Sequence, residues 1–373
     1  LNKKLLSLLL IGLLTVFGLM LVGCGGDDTT TDETEATEDT MTDDTATEDT
    51  MTEDTMTEDT EAAATSGDVE YTIKFTHVVA ENTPKGQAAL EFARLASEKT
   101  NGRVEVEVYP NSQLYNDDEA IEALQLGTIQ LAAPSFSKFT GFVPEMQVVD
   151  LPFLFESVEQ SREAFAGPTG EFLNQKLADS NIMLLAAWDN GFKQLTNSRG
   201  PINAPADTEN LKFRVQESDV LVSQMQAWGA SAEPMAFSEV YNALEQGVID
   251  AQENTYSNIY SQNYQDVQDY LTESNHGLIA YAVVTNPDYW NGLPEDIRTA
   301  LDEAMAEATE YNSTVAGQIN DENKQQLIDA GMEFNELDEE GLQAFRDASY
   351  PVWDEYADVF GEELMTILED YRQ

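Results

Sequence analysis

Arg214 lies near the end of a short strand read at residues 211–215. A guanidinium placed there can fork onto a carboxylate through two parallel hydrogen bonds, which lysine cannot imitate. It can equally serve as a salt bridge between strands or at the surface. Asn254 follows Asp250, Ala251, Gln252 and Glu253. Its amide can reach the same carboxylate, or it can cap a helix. Lys138 stands on a loop after an earlier strand, and Lys193 stands where the chain is expected to cross between lobes. Either lysine can complete an anion site or simply face water. Phe237 and Trp188 can wall a pocket or pack in a core. Catalysis has less to draw on. There is no Gly-x-Ser-x-Gly elbow and no phosphate loop, and the only histidines, His77 and His276, lack ligand spacing. The pair Asp117 and Asp118 can act as acid and base, but in so acidic a chain capping or solvation is the simpler role. Binding without chemistry is the expectation, and no cofactor or metal is implied.

The scaffold reads as strands alternating with helices. Val69, Tyr71, Ile73 and Phe75 alternate with polar residues, the period of a strand. Thr83 and Pro84 then open a helix as cap and first residue. Its apolar stripe runs through Ala88, Ala89, Phe92, Leu95 and Ala96, and Gly102 ends it. Val104, Val106 and Val108 make a second strand. Asp117 or Asp118 caps a helix closing at Gly127, and residues 129–133 return as a third strand. This βαβαβ order predicts a parallel sheet with a ligand crevice at its strand ends.

A related unit recurs, with a strand at 211–215, a helix from Ser218 to Trp228 and another from Phe237 or Ser238 to Gln246. Residues 123–130 and 243–250 match in kind: helix end, glycine stop, short strand. Two lobes facing across a cleft are predicted. Residues 294–330 read as one helix that spans both lobes or bends near Gly317. A last helical stretch follows Asp338, with a break or restart at Pro351.

Charge narrows the partners. The chain carries 18 Lys and Arg against 70 Asp and Glu, a net of −52. Without the two leading lysines and the sixteen acids between Asp27 and Glu61, 16 basic residues still face 54 acidic ones. Nucleic acid and anionic membrane need basic patches, so both are excluded. Lys3 and Lys4, the apolar run 5–22 and Gly23-Cys24 read as an export signal at 1–23, with Cys24 lipidated. An uncleaved single span is the alternative. Residues 24–67 repeat Thr-Glu-Asp-Thr-Met, too polar to form a core, and read as a disordered acidic linker.

Several stretches resemble the solute receptors of TRAP transporters. They are Lys-Phe-Thr-His-Val-Val-Ala-Glu-Asn-Thr-Pro-Lys-Gly at 74–86, Tyr-Pro-Asn-Ser-Gln-Leu at 109–114, and Pro-Met-Ala-Phe-Ser-Glu-Val-Tyr at 234–241. Asp-Asn-Gly-Phe-Lys-Gln-Leu at 189–195 and Ser-Asn-His-Gly at 274–277 are similar to the branch that binds four-carbon dicarboxylates, the DctP type. The resemblance runs from about residue 71 to 356. It implies a two-lobed, type II periplasmic-binding-protein-like α/β fold with a long helix spanning both lobes, and a membrane permease as partner. The first lobe is then expected at 68–190 and about 280–320. The second is expected at 191–279 and about 321–373, with the C-terminal helices. The family's signature arginine falls on Arg214 and its asparagine on Asn254. Lysine at 193, where many relatives carry arginine, favours dicarboxylates. Tyr115 and Thr255 depart from the family's common glycine and proline. On this reading Arg214 and Asn254 hold one carboxylate. Lys138, with His77 or Lys193, holds the other, and the ligand is malate, succinate or fumarate. Rival readings are a co-receptor for a sensor kinase, a receptor for a sugar acid or keto acid, and a secreted hydrolase or lyase.

Overall fold

Local sequence fixes where the first helices begin. A computed structural model describes residues 68–369 and 371. After strand β1 (Tyr71–Thr76), the Thr83 hydroxyl accepts from the Gly86 amide and starts α1 (Pro84–Lys99). Strand β2 (Val104–Tyr109) follows. The cap of α2 (Asp117–Gln125) is Asn116, not either aspartate: its side chain accepts from Glu119 N at 2.9 Å, and the Glu119 carboxylate accepts from Asn116 N at 3.2 Å. This capping box leaves Asp117 as the first helical residue, with its side chain buried. Strand β3 (Leu131–Ala132) completes the unit. Two 3-10 segments (Phe136–Phe139 and Pro144–Asp150), α3 (Val158–Ala166) and α4 (Pro168–Ala178) then lead into β4 (Met183–Phe192).

The chain crosses at Lys193 into β5 (Gln194–Asn197), β6 (Lys212–Val215), α5 (Asp219–Ala227) and β7 (Ser231–Pro234). A 3-10 turn at Phe237–Glu239 precedes α6 (Val240–Glu245), β8 (Ala251–Asn254), α7 (Tyr256–Ser261) and β9 (Tyr270–Glu273). It returns through 274–277 into β10 (Leu278–Thr285), α8 (Pro287–Gly292) and α9 (Glu295–Asp329). Strand β11 (Glu333–Glu336) and α10 (Glu339–Leu368) end the described body.

One sheet runs β2-β1-β3-β10-β4, the other β11-β9-β5-β8-β6-β7. In the first, β1 pairs in parallel with β2 and β3; in the second, β6 pairs in parallel with β7 and β8. The two βαβαβ units are thus laid out alike, and each is extended by an antiparallel strand, β10 beside β3 and β5 beside β8. Gly127 and Gly247 end the matching helices at φ 73° and 67°, where a left-handed backbone favours glycine. Strand β10 is buried on both faces. Ile279, Tyr281 and Val283 pack with Phe75, Phe92 and Leu301, while Ala280, Ala282 and Val284 pack with Leu124, Leu173 and Trp353.

Helix α9 spans the lobes: Ile297, Leu301 and Ala308 pack in the first core and Leu327 in the second. It stays helical through Gly317. Helix α10 also spans them and corrects the expected boundary. Phe345 packs with Phe213 and Trp228 of the second lobe, whereas Val352, Trp353, Tyr356 and Phe360 enter the first core. Residues after about 350 therefore belong with the first lobe, because their apolar side chains face its helices. The break falls at Gly361 (φ 77°, ψ 162°), not at Pro351, which lies within the helix.

The two strand crossings are tied together. Lys193 N donates to Gly277 O at 2.8 Å. The Lys193 ammonium meets Glu253 Oε1 at 2.6 Å, and His276 Nε2 meets Glu253 Oε2 at 2.7 Å, all three side chains being 1% exposed. Burial keeps His276 neutral, so Nε2–H donates to Glu253 and Nδ1 accepts from the Ser274 hydroxyl at 2.7 Å. Burial alone would raise the Glu253 carboxyl, but the Lys193 charge and the His276 hydrogen bond hold it at about 2.

Gly86 admits no side chain. A Cβ there would stand 2.4 Å from Ala80 O and 2.6 Å from Glu81 Cα, backbone atoms that cannot turn aside. Gly317, in α9, has nothing within 4 Å of such a Cβ. Denaturant titration is expected to show Gly86→Ala destabilised by about 1–3 kcal/mol. Gly317→Ala is expected to be neutral or stabilised by up to about 1 kcal/mol. Equal effects at the two positions would contradict the close approach at 86.

Candidate functional site

On the second lobe, Arg214 lies on β6, 2% exposed. Its Nε and Nη2 donate to Met235 O at 3.0 and 2.8 Å, which fixes the plane of the guanidinium. Nη1 has no hydrogen-bond partner among the described residues. Asn254 ends β8, and its Oδ1 accepts from Thr255 N at 3.1 Å and from Asn258 Nδ2 at 2.8 Å. Both bonds fall on the oxygen, so the Asn254 amide nitrogen remains available as a donor.

A hydrogen-bonded chain leads from there into the first lobe. Asn258 Nδ2 also donates to the Tyr281 hydroxyl on β10 at 3.1 Å. The Tyr281 ring lies under the Lys85 ammonium, 3.5 Å from Nζ to the ring centroid, a cation–π contact. Lys85 is fully buried in the first turn of α1 and donates to Ala133 O at 2.8 Å. Burial brings its pKa down to about 8, partly offset by Asp117. His77, 1% exposed, has no hydrogen bond at either ring nitrogen among the described residues. Burial, then the Lys85 charge, lowers it to about 3, so the ring is neutral.

Asp117 completes this inner group, within electrostatic reach of Lys85, Lys138 and Arg214. A cleft of about 610 Å³ opens beside it, lined by Asp118, Ile121, Lys138, Glu217, Ser218 and Pro234 among others. Lys138 bridges its walls, 3.0 Å from Asp118 on the first lobe and 3.0 Å from Glu217 on the second. The Thr140 hydroxyl donates to Glu217 O at 3.1 Å, a second tie across the opening. Phe237 is half-buried on the second lobe and packs against the first-lobe core.

Arg214, Asn254, His77, Lys138 and Phe237 therefore gather at one junction, and two expected residues do not. Trp188 is fully buried between Phe75 (5.9 Å between ring centroids) and Thr309, whose hydroxyl takes the indole N–H at 2.9 Å. It is core rather than pocket wall, because its one polar atom and both faces are already occupied. The Lys193 ammonium is paired with Glu253 inside the crossing, so it is not presented to a ligand. Lys138 is present but carries two carboxylate partners of its own. Cys24 lies outside the described residues. Sequence reasoning missed Lys85 and Tyr281. The signal for Lys85 was its position three, four and seven residues before Ala88, Ala89 and Phe92, on the apolar stripe of α1.

Comparison with known proteins places the chain. Residues 75–358 match the DctP family, described as bacterial extracellular solute-binding protein, family 7. The chain is 46% identical over 299 residues to the C4-dicarboxylate-binding periplasmic protein DctP of Rhodobacter capsulatus, covering 80% of this chain and 90% of that protein. Among solved structures it is similar to a TRAP periplasmic solute binding protein of Shewanella oneidensis with bound succinate. There the TM-score is 0.79 and the identity 39%, covering 82% of this chain and 100% of that one. A TRAP periplasmic solute binding protein of Pseudomonas aeruginosa with bound L-malate gives a TM-score of 0.75 at 39% identity, covering 77% and 100%. The two-lobed, type II binding-protein-like fold agrees with these neighbours, and the chain belongs to family 7 of the bacterial extracellular solute-binding proteins.

Proposed function

We propose that the chain is the receptor of a TRAP-type transporter, gripping a four-carbon dicarboxylate between its lobes and delivering it to a membrane permease. The observation that carries this reading is a buried cation on each lobe, Lys85 and Arg214, both within electrostatic reach of Asp117. Arg214 and Asn254 stand on the second lobe, and Lys85 stands over Tyr281 on the first. A short dicarboxylate needs such a pair, one positive centre for each end. Arg214 Nη1 and the Asn254 amide take one carboxylate, Lys85 and a neutral His77 take the other, and Phe237 closes over the carbon chain. The relatives bound to succinate and L-malate agree with this ligand class. Lys138 is reassigned from ligand contact to a tie across the cleft. Binding favours the closed arrangement because only there do both lobes reach the ligand.

Affinity is within reach of these contacts. A micromolar dissociation constant is about −8 kcal/mol. Three or four charge-assisted hydrogen bonds at roughly 1.5–3 kcal/mol each supply it after ordering costs.

Residues 1–67 add the address: export, lipidation at Cys24, and an acidic tether. Lipid labelling tests this: a fatty-acid probe is expected to mark the full chain and not Cys24→Ser, and an unlabelled full chain would refute lipid anchoring. Calorimetry with succinate, L-malate and D-glucuronate tests the ligand class, and preference for the sugar acid would overturn the dicarboxylate reading. Arg214→Lys keeps the charge but loses both the anchor on Met235 O and the Nη1 donor, and is expected to weaken succinate binding about tenfold or more. An unchanged constant would remove Arg214 from the grip. Lys85→Met is expected to weaken succinate at least as much while sparing butyrate, which has one carboxylate. Equal losses for both ligands would place the second cation elsewhere.

A further inference from the structure

Asp117 is a carboxylate set inside a site built to receive carboxylates. It is the first residue of α2, 8% exposed, and its neighbours come from several elements. Lys85 on α1 and Arg214 on β6 are the inner cations, and Asp117 lies within electrostatic reach of both. Lys138 and Asp118 face it from the mouth, where Lys138 is shared between Asp118 and Glu217. Tyr281 on β10 feels both Asp117 and Arg214, and its hydroxyl stays neutral. His77 beside Lys85 is neutral as well. Tyr264, which also faces Arg214, is neutral and fully buried. Glu253, the remaining acid near Arg214, is matched by Lys193.

The charges then count simply. Without ligand, Lys85 and Arg214 exceed Asp117 by one. A dianion entering between them takes one cation for each of its ends, and Asp117 is left as an uncompensated buried anion. Such a charge is costly in a low-dielectric interior, and a carboxylate escapes that cost by taking a proton. His77 could accept the proton instead, but as an imidazolium it would sit against the Lys85 ammonium. Burial already pushes the Asp117 carboxyl up, against the pull of Lys85, Lys138 and Arg214.

We propose that the dicarboxylate dianion enters this site together with one proton, which settles on Asp117. The inference rests on the dicarboxylate reading above and adds to it a pH-dependent affinity. A proton taken up with the ligand makes binding weaken as pH rises. While one proton is taken up, affinity falls about tenfold per pH unit.

The test is calorimetry of the full chain with succinate at about pH 7, where free succinate is largely ionised and Lys85, at about 8, is still largely charged, repeated in buffers of different ionisation enthalpy. About one proton taken up per succinate bound is expected, and in Asp117→Asn that uptake vanishes and the pH dependence flattens. In His77→Gln the proton count stays at about one, whatever the affinity becomes. Succinate binding by the unaltered protein with no proton uptake would overturn the proposal while leaving the receptor reading intact. Uptake that survives in Asp117→Asn, or disappears in His77→Gln, would overturn the assignment to Asp117. Failure of every dicarboxylate to bind would instead sink the receptor reading itself.

Discussion

A buried cation is tolerable only beside an anion or a strong acceptor, and this constraint organises the protein. Among the described residues, the buried lysine and arginine side chains are Lys85, Lys138, Lys193 and Arg214. Lys193 is matched by Glu253, and Lys138 is matched by Asp118 and Glu217. Lys85 and Arg214 differ. Each rests on a backbone carbonyl, Ala133 or Met235, and Lys85 also on the face of an aromatic ring. Neither has an ion-pair partner within contact distance among the described residues. Removing one partner of a buried ion pair costs about 3–5 kcal/mol, because the other charge stays behind. Lys138 and Lys193 are therefore fixed by the fold, and Lys85 and Arg214 are left as the two less neutralised buried cations.

The surrounding acidity sharpens that division. With a net charge of −52, the surface repels an anion at long range at low ionic strength. Salt screens this beyond roughly 8–10 Å, so recognition falls to groups the ligand meets only inside the cleft. The crossing network serves the same end. Glu253 is adjacent to Asn254 on β8, so the pair that ties the two strand crossings also fixes the strand end that presents the amide.

Much of this was legible in the sequence, and the losses have physical causes. The βαβαβ order followed from period-2 and period-3.6 patterning, and the glycine stops at 127 and 247 marked equivalent turns. Arg214 and Asn254 stood out by chemistry and by family resemblance. Lys85 did not, because a lysine in a first helical turn is usually solvated; only its place on the apolar stripe betrays it. The pairing of Lys193 with Glu253 joins residues on separate strands, and no local pattern reveals a partner chosen by the fold. The same holds for Trp188, whose buried indole looks identical in sequence to a pocket wall. The return of α10 to the first lobe depended on which core its apolar face would meet, which periodicity does not specify.

That return has a consequence for how the molecule is made. The first core draws on strands near the start of the folded body, on β10, and on aromatic residues at 353, 356 and 360. A chain emerging from the ribosome cannot finish that core until nearly its whole length has been synthesised. Neither lobe is a contiguous segment that could mature alone while the remainder is still being translated. Late closure of this kind leaves the first core as the last part of the fold to be completed.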